Sequence, residues 1–195
     1  ILVDLGVILP FQGHLGCQIG AQIGLEASGD PHGAPRCYFG SMLGSFGLMI
    51  GFKITPAQLE AAISPKTKWL LLNSPSNPTG GAYSEEELRN LANVLIEYPQ
   101  VWVLTDDIYE HLVYDDFQFT TIAQVAPDLF DRTLTMNGMS KAYCMTGWRV
   151  GFAGGPEEMG QIMTKVQSQS ITHTAAVSQA AAVAALNGPH DFIEE

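Results

Sequence analysis

Residues 68–107 read KWLLLNSPSNPTGGAYSEEELRNLANVLIEYPQVWVLTDD, and the succession of elements in this stretch decides the fold. Lys68 to Leu72 is a short apolar run of the kind that forms a buried strand. Asn77-Pro78-Thr79-Gly80 is a turn sequence. Ser84-Glu85-Glu86-Glu87 is a capping box, and it opens a helix whose Leu88, Leu91, Leu95 and Ile96 fall on one face. Val101 to Leu104 is a second buried strand. Strand, helix, strand is the unit from which parallel sheets are built.

Working outward, Thr55-Pro56-Ala57-Gln58 is another capping box with proline at the first helical position, which predicts a helix to about Ile63. Arg132 to Met136 reads as a third strand and Trp148 to Ala153 as a fourth. Pro156 opens a helix with Glu157 and Glu158 in its first turn, favourable to the helix dipole. An alanine-rich helix is expected from about Thr174 to Leu186, stopped by Gly188 and Pro189. The fold class predicted is α/β, a three-layer α/β/α arrangement around a mostly parallel sheet.

Residues 1–50 read differently. They hold ten of the twenty glycines and four charged residues, Asp4, Glu26, Asp30 and Arg36. They show no sustained period of 2 or 3.6. Gly16, Gly20 and Gly24 have the four-residue spacing of packed membrane helices, but His14, Gln18 and Gln22 interrupt the apolar surface. The expectation is loop or disorder rather than a regular element. The domain division is therefore 1–50, an unassigned glycine-rich segment, and 51–195, a folded α/β domain.

The chain has 195 residues and a formal net charge of −11. That charge argues against nucleic acid and against an anionic membrane surface. No apolar stretch reaches transmembrane length, and the start lacks the pattern of a secretory signal. Cys17, Cys37 and Cys144 are an odd number without metal spacing, which points to reduced thiols and no metal site. Without an initiator methionine, the chain reads as part of a longer protein.

The chemistry centres on Lys141. It follows an apolar run, is flanked by small and apolar residues, and has no carboxylate close in sequence. An apolar setting disfavours the ammonium form and frees the amine as a nucleophile, as Schiff-base chemistry requires. Arg149 could supply a fixed cation for a phosphate. In open α/β sheets, ligands bind beyond the carboxyl ends of the strands. Asn77, Asp106 and Lys141 each follow a predicted strand, so amide, carboxylate and amine would converge if those strands are parallel neighbours. Each also has a plainer reading. Asn77 suits a turn, Asp106 and Asp107 suit loop caps, and Tyr109 suits packing. Trp148 and Met145 read as packing residues, Cys144 as a passive small residue, and His111 as simply hydrogen-bonded. Glu85 to Glu87 read as a solvated helix start rather than a metal site.

NSPSNPTG at 73–80, TDDIYEHLVYD at 105–115, NGMSKAYCMTGWRVGFAGGP at 137–156 and QSQSITHTAAVSQAAAVAAL at 167–186 together resemble the class I/II aminotransferases. These are pyridoxal-phosphate enzymes of fold type I, and the bacterial aspartate aminotransferases are the nearest in pattern. The resemblance runs from about residue 51 to the end. It implies that Lys141 forms the imine with pyridoxal 5'-phosphate and later carries the proton between substrate Cα and cofactor. It implies that Asp106 pairs with the protonated ring nitrogen, and that Tyr109 and Asn77 bond the ring oxygen. Arg149 would hold the phosphate, and Asn77 would also lie beside the substrate carboxylate. Gly138 stands where some relatives carry a phosphate-binding serine, so Ser140 or a backbone amide would serve instead. Cys144 stands where related sequences usually have a smaller residue such as alanine. The Asn77–Pro78 bond is a candidate for cis.

The function so implied is transamination between an amino acid, aspartate foremost, and a 2-oxo acid, in a cytoplasmic homodimer. A lyase or synthase of the same fold, or an inactive cofactor-binding or dimerising fragment, are the alternatives. The ring-stacking aromatic and glycine-rich phosphate turn expected of the family are not recognisable in residues 1–50, which read as a frameshifted or mis-joined translation. The arginine for the substrate α-carboxylate is expected beyond Glu195.

Overall fold

Both predicted capping boxes close. In the computed structural model, which describes residues 2–4, 21–23 and 53–193, Thr55 and Gln58 cap helix α1 (Pro56–Ala62) reciprocally. Ser84 and Glu87 do the same for α2 (Glu85–Ile96). Each box satisfies backbone N–H groups that the first helical turn leaves without partners. Glu87 serves twice, because it also accepts from the Lys53 ammonium. The buried face of α2 is Leu88, Leu91, Ala92 and Leu95, the i, i+3, i+4, i+7 stripe of a helix lying on a core. Ile96, expected on that face, is 41% exposed, since one residue past Leu95 the helix has turned it to solvent.

A six-stranded sheet runs in the order β1 (Leu2–Asp4), β6 (Gly151–Gly154), β5 (Thr133–Gly138), β4 (Trp102–Asp106), β3 (Trp69–Asn73), β2 (Ala21–Ile23). Its centre is β3 (Trp69–Asn73), β4 (Trp102–Asp106) and β5 (Thr133–Gly138), paired parallel, with Leu70 opposite Val103 and Leu104 opposite Leu134. Strand β3 buries Leu70 and Leu72, and β4 buries Val103 and Thr105. The alternate residues are only half-buried, so neither strand is buried on both faces as its apolar run suggested. Trp69 and Trp102 stand side by side there, ring centroids 5.6 Å apart. Strand β6 (Gly151–Gly154) pairs antiparallel with β5. The intervening residues contain no crossover helix, and a parallel return needs one or its equivalent in length. The predicted strand at Trp148 also starts later, because Thr146–Trp148 form a 3-10 turn and Arg149 has φ 55°.

Residues 1–50 were expected to carry no regular element. The structure adds two three-residue edge strands, β1 (Leu2–Asp4) on β6 and β2 (Ala21–Ile23) on β3, both antiparallel. Backbone pairing to an open edge needs no side-chain period, so nothing in the residue pattern marks it. The glycine spacing at 16–24 lies largely outside the described residues.

Two apolar clusters hold the domain. One joins Ile54, Leu59, Leu88, Leu91 and Leu95 to Leu70, Leu72, Val101 and Val103, and reaches Ile122, Val125 and Leu129 of α3 (Ile122–Val125) and the 3-10 turn after it. The other joins Met139, Met145 and Val150 to Ala182 of α5 (Ala176–Asn187). Helix α4 (Glu157–Ser168) begins just after Pro156, as expected.

Arg132 completes α2 from outside the helix. It donates to the carbonyls of Leu95 at 2.8 Å, Tyr98 at 3.0 Å and Val101 at 2.6 Å. The last turn of α2 holds no basic residue of its own, so this guanidinium supplies the positive charge that a helix C-terminus favours. Arg132→Ala is expected to lower stability by about 2 kcal/mol, and Arg132→Lys to recover only part of it. Urea denaturation of both variants checks this, and an unchanged midpoint for the alanine variant would refute the capping role.

Candidate active site

Strands β3, β4 and β5 end at one edge of the sheet. Asn73 lies opposite Asp106, and Asp106 opposite Met136, in the parallel register. The loops that leave these ends carry the residues the sequence singled out. The 73–80 loop contains two cis prolyl bonds, the expected Asn77–Pro78 and also Ser74–Pro75. Asn73 closes this loop, its Oδ1 accepting from the Asn77 N–H at 3.1 Å. Its Nδ2 donates to the Asp106 carbonyl at 3.2 Å, tying the loop to the next strand.

The predicted groups come together in part. Asn77 Nδ2 donates to the Tyr109 hydroxyl at 2.9 Å. The Lys141 ammonium lies 5.4 Å from the centre of the Tyr109 ring, within range of a cation–π contact. Tyr109 is thus the hinge of the cluster, a stronger placement than its plain reading as a packing aromatic. Lys141 is half-buried, and its surroundings are less apolar than its sequence neighbours suggested, because folding brings Tyr109 and Asp106 to it.

Asp106 ends β4. Its Oδ1 accepts from the Ile108 N–H at 3.3 Å. Burial raises its carboxyl above the ordinary range, while that N–H and the Lys141 charge partly counter the rise. The site therefore contains a carboxyl whose charged form gains from a further cation. Its neighbour Asp107 is 3% exposed and accepts from Thr105 Oγ1 at 2.5 Å. Burial pushes this carboxyl up to about 6. The Thr121 hydroxyl stands near enough to oppose the shift but does not complete a hydrogen bond.

Arg149 and Ser140 sit at the rim. Thr146 links them, its Oγ1 donating to the Ser140 carbonyl at 2.9 Å and its carbonyl accepting from Arg149 at 3.0 Å. The Arg149 side chain is exposed, and the structure does not bring it into contact with Asn77, Tyr109 or Asp106. At Gly138 a Cβ would stand 3.0 Å from the Val150 carbonyl, so glycine lets β5 and the incoming 150–151 segment approach closely. Cys144 is exposed with φ 55°, and its N–H donates to the Lys141 carbonyl at 3.0 Å. Met145 packs as expected, whereas Trp148 is 44% exposed. His111 meets Tyr143 edge-on and lies 3.4 Å from Glu110. Among the described residues no group of three or more His, Cys, Asp or Glu is placed to hold a metal ion, and no helix is long and apolar enough to cross a membrane.

Sequence reasoning missed Asn73, Glu110 and Asn137. Asn73 had one signal, its position at a strand end. Glu110 and Asn137 lie inside the motifs at 105–115 and 137–156 but were not singled out there, because each acts through a partner 27 residues away.

The donor set at one sheet edge, an amine, a half-buried carboxyl, a phenol and an amide, together with the fold, points to the class. The chain belongs to the family Aminotransferase class I and II, which it matches over residues 49–195. It is 59% identical over 147 residues to an aspartate/prephenate aminotransferase of Cereibacter sphaeroides, covering 75% of this chain and 37% of that protein. It is 59% identical over 145 residues to an aspartate aminotransferase of Rhizobium meliloti, covering 74% of this chain and 35% of that one. The crystal structure of the aspartate aminotransferase from Rhizobium meliloti superposes with a TM-score of 0.73 at 58% identity, over 74% of this chain and 36% of that one. Aspartate aminotransferase from Thermus thermophilus with maleate gives 0.67 at 42% identity, over 74% and 37%. The fold is therefore the α/β fold type I of these enzymes, and the chain spans little more than a third of the relatives' length.

The Asp107 shift carries a pH signature. A carboxyl raised on folding contributes stability that is complete below its unfolded value of 3.8 and is lost as pH rises through about 6. Asp107→Asn keeps an acceptor for Thr105 and has no such loss. Its stability relative to the parent is expected to improve between pH 4 and pH 7 by up to about 3 kcal/mol. Urea midpoints of both proteins across that range measure this, and a pH-independent difference would contradict it.

Proposed function

We propose that the protein containing this chain transfers amino groups between an amino acid, aspartate foremost, and a 2-oxo acid, with pyridoxal phosphate as cofactor. The observation that carries this reading is the grouping of Lys141, Tyr109, Asn77 and Asp106 at the carboxyl ends of parallel strands, in a chain of the aminotransferase family. Aspartate is supported by the names of the relatives.

The residues fit the cofactor by their chemistry. Asp106 is a carboxyl that burial drives toward its neutral form, and a protonated ring nitrogen beside it would restore the charge. Tyr109 and Asn77 already share a hydrogen bond, and both can serve the ring oxygen. Arg149 offers an exposed guanidinium suited to a phosphate, with Ser140 linked to it through Thr146.

Pyridoxal phosphate, when bound, supplies a carbonyl carbon for an amine and a protonated ring that takes up the electron pair left at the substrate Cα. Lys141 would hold it, and its amine would take and return the Cα proton from a fixed position. Asp106 would lie at the ring nitrogen and favour its protonated form. Asn77 would also hold the substrate carboxylate. Tyr109, under the Lys141 amine, orients that amine. The protein is further proposed to act as a cytoplasmic homodimer, with the family's large domain running from about residue 51 and residues 1–50 adding the edge strands β1 and β2 to its sheet.

Added pyridoxal phosphate followed by borohydride and peptide mapping is expected to label Lys141, and Lys141→Ala to lose the label. A label elsewhere would move the site. Asp106→Ala is expected to keep cofactor attachment but slow Cα proton exchange, read by NMR with deuterated aspartate, on the order of 10²-fold or more. Unchanged exchange would remove Asp106 from its role.

A further inference from the structure

Beyond Asp106 the β4–β5 ladder stops. Its last register pair is Asp106 with Met136, and the Asp107 N–H donates to the Met136 carbonyl at 2.9 Å. The two chains then part. Residues 107–112 wind into a turn, with Glu110 N–H on the Asp107 carbonyl at 2.9 Å and Leu112 N–H on the Tyr109 carbonyl at 2.8 Å. That turn carries Tyr109. Asn137 and Gly138 instead continue along β6 and deliver the loop that carries Lys141. One side-chain bridge spans the parting, from Asn137 Nδ2 to Glu110 Oε1 at 2.6 Å.

The bridge is built at both ends. Gly138 N–H donates to Asn137 Oδ1 at 2.7 Å, which fixes the rotamer and turns the Nδ2 end toward Glu110. His111 Nε2 lies 3.4 Å from the same Glu110 oxygen. Glu110 adjoins Tyr109, and Asn137 lies four residues before Lys141. No described hydrogen bond joins either residue to Asn77, Tyr109, Asp106 or Lys141, so any effect on them must pass through the backbone of the two loops.

We infer that Glu110 and Asn137 are a positioning pair that fixes the Lys141 loop against the Tyr109 turn, and so sets where the Lys141 amine stands over the Tyr109 ring. As a statement about catalysis it rests on the reading of Lys141 given above. The physical ground is that parallel strands stop constraining each other where their ladder ends, while the reacting groups lie past that point. A displacement of about 1 Å there is enough to cost up to about 10²-fold in rate.

The test compares Glu110→Ala, Glu110→Gln, Asn137→Asp and the Glu110→Ala/Asn137→Ala double variant with the parent and with Asn137→Ala. The first readout needs no cofactor: reductive methylation of Lys141 by formaldehyde with cyanoborohydride as hydride donor, timed by mass spectrometry. Loss of the bridge frees the amine from the Tyr109 ring, and labelling is expected to quicken roughly threefold, the worth of one partly exposed cation–π contact. The second is steady-state kinetics, where kcat is expected to fall about tenfold with KM within about twofold. Gln keeps an acceptor for Asn137, so Glu110→Gln should stay near the parent. Asn137→Asp keeps the Gly138 acceptor but sets carboxylate against carboxylate, and should match Glu110→Ala even if the alanine variants fold poorly. The double variant should be no worse than either single one. Unchanged labelling in Glu110→Ala and Asn137→Asp overturns the inference. So does Glu110→Gln failing with Glu110→Ala, or strictly additive losses. A parent that takes no cofactor on Lys141 sinks the transaminase reading alone, because the labelling arm still decides on the pair.

Discussion

The parallel pairing of β3, β4 and β5 is the constraint on which the rest depends. Parallel strands share a direction, so the three end at one edge and their loops leave together. The register makes this specific by setting Asn73 against Asp106 and Asp106 against Met136. An antiparallel partner at any of the three places would send one loop to the far side of the sheet. The core then follows, because α1, α2 and α3 cover the face that Leu70, Leu72 and Val103 present.

What the edge gathers is electrostatically incomplete in a useful sense. Asp106 is held by burial toward its neutral form, with one backbone N–H and the Lys141 charge working the other way. Tyr109 receives Asn77 on its hydroxyl and Lys141 on its face. Under the proposed function these groups would receive a planar cationic ring with polar substituents.

Long-range polar contacts do the remaining work. Arg132 closes the C-terminus of a helix that has no basic residue in its last turn. Asn73 stitches one loop to the next strand, and Glu110 with Asn137 bridges the place where the ladder ends. Each such contact joins residues far apart in the chain, so that its partner cannot be read from the local sequence.

The sequence by itself determined the local elements and the chemistry-bearing groups. The capping boxes at Thr55 and Ser84, the apolar runs of β3 and β4, and the turn at Asn77 are set by interactions within a few residues, and so could be read directly. Lys141, Asp106, Tyr109 and Asn77 were legible because strand ends and family motifs coincide there. Only the tertiary structure decided that β6 returns antiparallel, that Ile96 and Trp148 face solvent, and that two short edge strands complete the sheet. It alone chose the partners of Arg132, Glu110 and Asn137. The reason is the same in each case. Propensity and periodicity report what a residue does with its near neighbours, whereas exposure, strand direction and long-range hydrogen bonds are fixed by which distant segment the packed core brings alongside.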